Sequence, residues 1–321
     1  MYRVFASFVM AASLCLSVCS SATAWPNRTV RLILPVPAGS AADFTARLFA
    51  ERLSALWAQP VIVENRPGAD GVIGVSSFVN SHDDHALLFA ISAVATVHAV
   101  QIEKLPYDPI NDLVPISPDS EIVLAIATSE KSSIHSLKDL VQSARAAPGK
   151  LNWASSPGLP PYVLGAFFKG SGLEITSIFY RDLAPALQDL GEGRLDLFVH
   201  ALSVLIPQAQ ASRARLLAVA SPQRAAATPE IPSVTELGMP ELTMEGLSGF
   251  FGARGMAVAT RERVAADVAT IVNDPAIQQR LAAIGQTAHP GTMAEFAGFL
   301  ANTRERLIAL GRTAGIPTLQ R

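Results

Sequence analysis

The sequence predicts an α/β protein made of two tandem units. Short runs rich in β-branched and other apolar residues alternate with longer stretches whose apolar residues recur at helical spacing, and the series restarts near residue 122. The 321 residues are 50% hydrophobic and 16% charged, enough to bury the core of one or two domains. That composition excludes disorder, a collagen-like chain and a coiled coil.

Taken in order, residues 30–35 read as a buried strand and residues 41–57 as a helix with Phe44, Leu48, Phe49, Leu53 and Leu56 on its apolar positions. Further strands are expected at 61–64 and 86–91, separated by the glycine-rich stretch 67–74 and a helix over 75–80. A second series starts with a strand at 122–128 and a helix over 136–147, where Ser136 and Asp139 have capping-box spacing and Pro148-Gly149 stops it. Strands at 151–154, 177–180 and 195–199 then alternate with helices at 163–169 and 184–190. Strands at 216–220 and 248–252 precede helices at 261–272 and 274–284, the latter with Asp274 as N-cap, Pro275 in its first turn and Gly285 after its end. Thr292 and Glu295 cap a last helix whose Phe296, Phe299, Leu300, Leu307 and Leu310 form an apolar face, and these terminal helices are expected to pack on the first unit.

After Arg3, residues 4–19 form a short uncharged apolar stretch, followed by Ala22-Thr23-Ala24. This is the pattern of a secretory signal peptide cleaved after Ala24, too short to be a permanent span. Leu16-Ser17-Val18-Cys19 resembles a lipoprotein box, but Val18 is bulky for the position before a lipidated cysteine, so lipidation of Cys19 is the minor alternative. Cys15 and Cys19 both lie in this segment, so the exported chain would carry no disulfide, thiolate metal site or cysteine nucleophile. A bacterial periplasm is the expected destination.

With 25 Lys+Arg against 27 Asp+Glu and no basic block, the chain lacks the electrostatic footprint of a nucleic-acid binder. A Gly-x-Ser-x-Gly elbow, a Walker loop, a His-Glu-x-x-His pair and a Gly-x-Gly-x-x-Gly fingerprint are all absent. Gly68, Gly71 and Gly74 miss the dinucleotide spacing and read as turn residues. No cofactor is expected. His82-Asp83-Asp84-His85 has metal-like composition but sits where a polar turn should precede a strand, and it is read as that turn. His200, ending a strand, is the histidine placed to serve a site. The most informative segment runs from Pro35 to Asp43, a small-residue loop between the first strand and the first helix. Ligands of open α/β sheets bind beyond the carboxyl ends of strands, and a helix N-terminus offers free N–H groups to a carboxylate. From this segment alone an anion site and a plain strand-to-helix turn are equally good readings.

Longer strings narrow the choice. Pro37-x-Gly39-x-x-x-Asp43, Glu64-Asn65-Arg66-Pro67-Gly68-Ala69, Leu105-Pro106-Tyr107-Asp108-Pro109, Pro148-Gly149-Lys150-Leu151-Asn152 and Ala184-Pro185-Ala186-Leu187 occur in this order along the chain. Together they resemble the substrate-binding proteins of tripartite tricarboxylate transporters, the Bug family of extracytoplasmic solute receptors. The resemblance implies a two-lobed periplasmic binding protein, type II-like, closing in Venus-flytrap fashion on a small organic carboxylate in the cleft between lobes. On that template residues 1–24 are the signal peptide, residues 25–120 plus 222–321 the first lobe and residues 121–221 the second. Carried over, Val36, Ala38, Gly39, Ser40 and Asp43 would contact the ligand from the first lobe, with a hydroxyl from Ser92. Ser155, Ser156, Tyr180, Arg181, Asp182, Ala184 and His200 would line the second lobe.

Departures from the family pattern cluster at these positions. Ser40 replaces the usual second glycine, Ile91 and Val94 stand where threonines are common, and Tyr162 where histidine is frequent. Arg181-Asp182 replaces Lys-Gly, and His200 replaces Asp. A more apolar cleft that keeps a bidentate donor in Arg181 suggests an aromatic or otherwise bulky carboxylate; the equally good alternative is that Arg181 pairs with Asp182 or solvent, Tyr162 packs in the core, and the ligand is an unrelated one or none. The resemblance implies a monomer that hands solute to membrane permease subunits rather than an enzyme. Delivery to a membrane sensor kinase is the alternative use of the same fold. An exported hydrolase using Ser155 or Ser156 with His200 is the enzymatic alternative, unsupported by any ordered triad.

Overall fold

The computed structural model describes residues 25–319; the expected signal peptide and both cysteines lie outside them. Strands Val30–Leu34 (β1), Val61–Asn65 (β2), Ala86–Ile91 (β3) and Leu113–Ile122 (β4) come first in the chain. Leu124–Ser129 (β5), Asn152–Ser155 (β6), Thr176–Ser177 (β7), Leu197–Ala201 (β8) and Ala214–Val219 (β9) follow. Leu247–Ala253 (β10) and Gln286–Ala288 (β11) complete the set. They form two sheets, ordered β11-β4-β10-β3-β1-β2 and β7-β6-β8-β5-β9.

Alternation of side chains across a strand explains how the first sheet is buried on both faces. Leu32, Leu34, Phe89 and Phe250 point to one face, where they meet Phe49 and Leu53 of helix α1 (Ala41–Trp57) and the later residues Val264, Val268 and Ile277. Ile33, Leu88 and Phe251 point to the other, against Val75 and Phe78 of α2 (Val72–Val79) and against Phe296 and Leu300. A short helix, α3 (Val97–Gln101), follows β3. In the second sheet Ile126, Leu197 and Val199 pack on α4 (Leu137–Ala146) and α5 (Pro160–Gly170). Ala125, Ala127 and Phe198 pack on α6 (Leu183–Glu192) and α7 (Leu202–Gln210). Helices α8 (Val258–Val272), α9 (Pro275–Ala283) and α10 (Met293–Ala314) end the chain. No helix among the described residues is long and apolar enough to cross a membrane.

The chain passes between the sheets twice, at adjacent points. β4 becomes β5 across the single residue Val123, while the return lies at Glu245-Gly246. The Ile122 N–H donates to Gly246 O (2.8 Å), that of Ala220 to Leu124 O (2.8 Å) and that of Met244 to Ala220 O (2.7 Å), so the two crossings form one hydrogen-bonded hinge. Burial and the Glu245 charge push the Glu121 carboxyl at this hinge up to about 7. Val234, Leu242 and Met244 pack in the second core, which moves the return crossing from the sequence-based residue 222 to the end of that segment.

Several expectations change in detail. β4 was unforeseen because Pro115 and Pro118 look incompatible with a central strand; both lie beside register shifts in its pairing with β10. β7 ends at Ser177 rather than at residue 180. α10 keeps its capping box, with the Glu295 N–H donating to Thr292 Oγ1 (3.2 Å) and the Thr292 N–H to Glu295 Oε2 (2.8 Å). It does not stay on the first lobe, however. Phe296 and Leu300 fill the first core, but Leu307 meets Val97 and Val100 of α3 together with Tyr162 of α5, so the helix spans both lobes.

Candidate carboxylate site between the lobes

Both sheets present strand ends to the hinge. In the first, Ile91 ends β3 opposite Ser248, itself opposite Ser120 two residues before the crossing. In the second, Leu124 leaves the crossing opposite Ala201, the last residue of β8, and Val199 lies opposite Ser155 at the end of β6. The loops after β1, β3, β6, β7 and β8 therefore gather where the lobes meet, at the carboxyl ends of parallel strands.

The loop after β1 is held from beneath. Gly39 adopts φ +82°, a left-handed conformation that glycine takes without penalty. Its N–H donates to Asp43 Oδ2 (3.0 Å), which also accepts from Arg47 Nε (3.0 Å). Asn65 Nδ2 donates to Asp43 Oδ1 (2.9 Å) and to Val36 O (3.2 Å). Burial alone would raise the Asp43 pKa, but the Arg47, Gly39 and Asn65 hydrogen bonds outweigh it and hold the carboxyl below its ordinary value. Asp43 is buried with both oxygens committed, so it supports the loop rather than facing a ligand. This also explains the Glu64-Asn65-Arg66 string. Asn65 ties β2 to the loop, while Glu64 pairs with Arg31 (2.6 Å) and Arg66 (3.0 Å).

Ser40 is the N-cap of α1, its Oγ accepting the Asp43 N–H (3.2 Å). The N–H groups of Ala41 and Ala42 have no acceptor among the described residues and stand at the positive end of the helix dipole. Pro37, Ala38 and Gly39 are exposed around them and Val36 is half-buried. On the next loop Ser92 is buried, in a turn fixed by Tyr107, whose hydroxyl donates to Val94 O (3.1 Å) and pairs with His98 Nδ1 (2.8 Å). Since that hydroxyl gives its proton to Val94, His98 carries its own proton on Nδ1. Burial lowers the His98 pKa, which keeps the ring neutral at pH 7.

On the second lobe, Ser155 and Ser156 are half-buried at the end of β6, where the Ser156 N–H donates to Val199 O (2.8 Å). The His200 Nδ1 accepts the Ala201 N–H (2.8 Å), which puts the ring proton on Nε2. Burial drops its pKa to about 4, so at neutral pH His200 is an uncharged Nε2–H donor. Arg181, Asp182 and Ala184 are exposed at the start of α6, where Asp182 occupies the N-cap without a side-chain bond and no ion pair among the described residues joins Arg181.

Two expected ligand contacts are placed elsewhere by packing. Tyr162 has no exposed surface; its ring fills the contact between α5, α3 and α10 with Val97, Val100 and Leu307. Tyr180 is turned onto α6, where its hydroxyl donates to Asp189 Oδ2 (2.7 Å). Val94 is likewise buried, so that of Ile91, Val94 and Tyr162 half-buried Ile91 alone keeps open surface. The acidic turn is tied to the first described residues. Asp83 and Asp84 each accept from Arg28 Nη2 (2.7 Å), and the His85 Nε2 accepts the Asn27 N–H (3.2 Å), fastening the segment at Trp25 to the turn before β3.

This arrangement, two α/β lobes on a double crossing with anchored loops at the cleft, defines a solute-binding receptor. The model for the tripartite tricarboxylate transporter family receptor, TctC, matches residues 45–316, and the chain belongs to that family. It is 31% identical over 298 residues to a UPF0065 protein of Bordetella bronchiseptica, covering 92% of this chain and 89% of the relative. It is 29% identical to Protein BugT of Bordetella pertussis, covering 92% of each. Among solved structures, R. palustris Rpa4515 with adipate superposes with a TM-score of 0.80 at 26% identity, over 92% of this chain and all of that one.

Proposed function

We propose that this chain is an exported receptor that captures a small organic carboxylate by closing its lobes and delivers it to a membrane permease of the tripartite tricarboxylate type. The observation that carries the reading is the pair of unpaired N–H groups at Ala41 and Ala42, presented by a loop that Asp43 and Asn65 hold from below. One carboxylate oxygen pair would lie on that helix end, and the Ser40 and Ser92 hydroxyls can donate beside it. Closure brings up the Ser155 and Ser156 hydroxyls, the His200 Nε2–H and the Arg181 guanidinium, which supply further donors and the positive charge a carboxylate needs. The adipate in the R. palustris relative supports a carboxylate ligand. A receptor that must release its cargo needs no bond-making step, and His200 is held by a backbone N–H rather than by a carboxylate that would make it a base.

Calorimetric titration of residues 25–321 with adipate, malate and 3-phenylpropionate, each beside its methyl ester, tests the reading. Saturable binding of one acid but not its ester is the expected result, because the ester loses the charge and the second acceptor oxygen. Equal binding of acid and ester, or binding of none of the acids, would overturn it.

A further inference from the structure

The stretch after β7 carries apolar surface that the two cores do not use. Phe179 is 91% exposed, and Ile178 and Leu183 flank it at 37% and 38%. Single exposed apolar residues are ordinary on protein surfaces, but a phenylalanine exposed this fully at a strand end stands apart from the other large apolar side chains, none of which exceeds 57%.

The placement of Phe179 follows from register. Thr176 and Ser177 pair with Asn152 and Trp153, and the Ile178 N–H continues the ladder to Trp153 O (2.8 Å). Phe179 therefore comes level with Ser155, at the end of the sheet that faces the hinge. Its neighbour Tyr180 is drawn inward by the Asp189 hydrogen bond and packs with Ala186 and Leu190. Successive side chains of an extended chain point to opposite sides, so anchoring Tyr180 inward turns Phe179 outward. Arg181, without an acceptor among the described residues, follows directly.

We infer that Phe179 is a specificity-determining wall of the cleft, and that the receptor selects carboxylates with an aromatic or extended apolar body over short polar diacids. The inference rests on the carboxylate-receptor reading above. An aromatic ring beside a cationic donor suits a ligand with a charged end and an apolar end: Arg181 and the α1 N-terminus take the charge, while Phe179 covers the body. A phenylalanine buries roughly 150–250 Å² when covered, so it discriminates against ligands too short to reach it.

Phe179→Ala and Phe179→Leu in the full mature chain test this, with 3-phenylpropionate, adipate and malate as probes and urea unfolding as the check on folding. Because the side chain is exposed, both variants should unfold like the wild type. The wild type should bind 3-phenylpropionate or adipate more tightly than malate. Phe179→Ala should weaken the preferred probe by about tenfold while malate changes by less than about threefold, and Phe179→Leu should fall between. A wild type that prefers malate, an equal change for all three probes, or no change for any would overturn the inference and leave the receptor reading standing. Binding of none of the probes by the wild type would overturn the receptor reading itself.

Discussion

Gly74→Ala should unfold at distinctly lower urea than the wild type, by about 2–3 kcal/mol, although alanine is the better helix former by up to about 1 kcal/mol. A Cβ on Gly74 would stand 2.5 Å from Arg66 O and 2.8 Å from Pro35 Cβ. Neither can give way cheaply, since one is backbone and the other opens the loop that leads to Ala41. The glycine spacing over residues 68–74 thus serves close packing of α2 against the end of β1. Gly298→Ala is the control. That glycine lies on the exposed side of α10 with nothing within 4 Å of the added carbon, so the change should stabilise by up to about 1 kcal/mol. Equal effects of the two substitutions in urea would contradict the packing argument. Because Pro35 must move in Gly74→Ala, carboxylate affinity should fall with stability.

Asp43→Ala should cost about 2–3 kcal/mol and at least about tenfold in carboxylate affinity, without Asp43 touching the ligand. The substitution strands the Gly39 N–H and one Asn65 N–H, and it leaves Arg47 only its bond to Asn65 Oδ1. The sign of its pH dependence follows from the depressed folded pKa. Its stabilisation is fully present above the unfolded value of about 3.9 and is lost as pH falls through the lower folded value. The stability gap between wild type and Asp43→Ala should therefore be constant through neutral pH and close in strong acid. A gap that instead opens below pH 4 would show that the carboxylate is not the stabilising form.

Much of the scaffold was legible because its signals are local. Residues 41–57 and 86–91 match α1 and β3 at both ends, since helical periodicity and a closed apolar run leave little choice. Asp274-Pro275 and Thr292-x-x-Glu295 announced their helix starts for the same reason. What stayed hidden depends on distant partners. β4 carries two prolines that bulges against β10 absorb, and α7 carries Pro207 within its length. Tyr162 looked like a cleft residue by alignment with the family pattern, but α10 returns from the far end of the chain to bury it. Asp43 and Asn65 were visible as motif residues, whereas their division of labour, support rather than contact, needed the hydrogen bonds. Phe179 was hidden because residues 177–180 read as one strand, in which nothing marked it off from its neighbours, whereas β7 ends at Ser177 and leaves it exposed.

Capture as proposed requires the two lobes to close about the crossings at Val123 and Glu245-Gly246. Small-angle X-ray scattering of residues 25–321, with and without a saturating carboxylate found by calorimetry, is the test. A carboxylate can drive closure only through tighter binding to the closed state. The radius of gyration should fall on binding, and Asp43→Ala should reproduce the shift only at higher ligand concentration. Tight binding with unchanged scattering profiles would contradict capture by lobe closure.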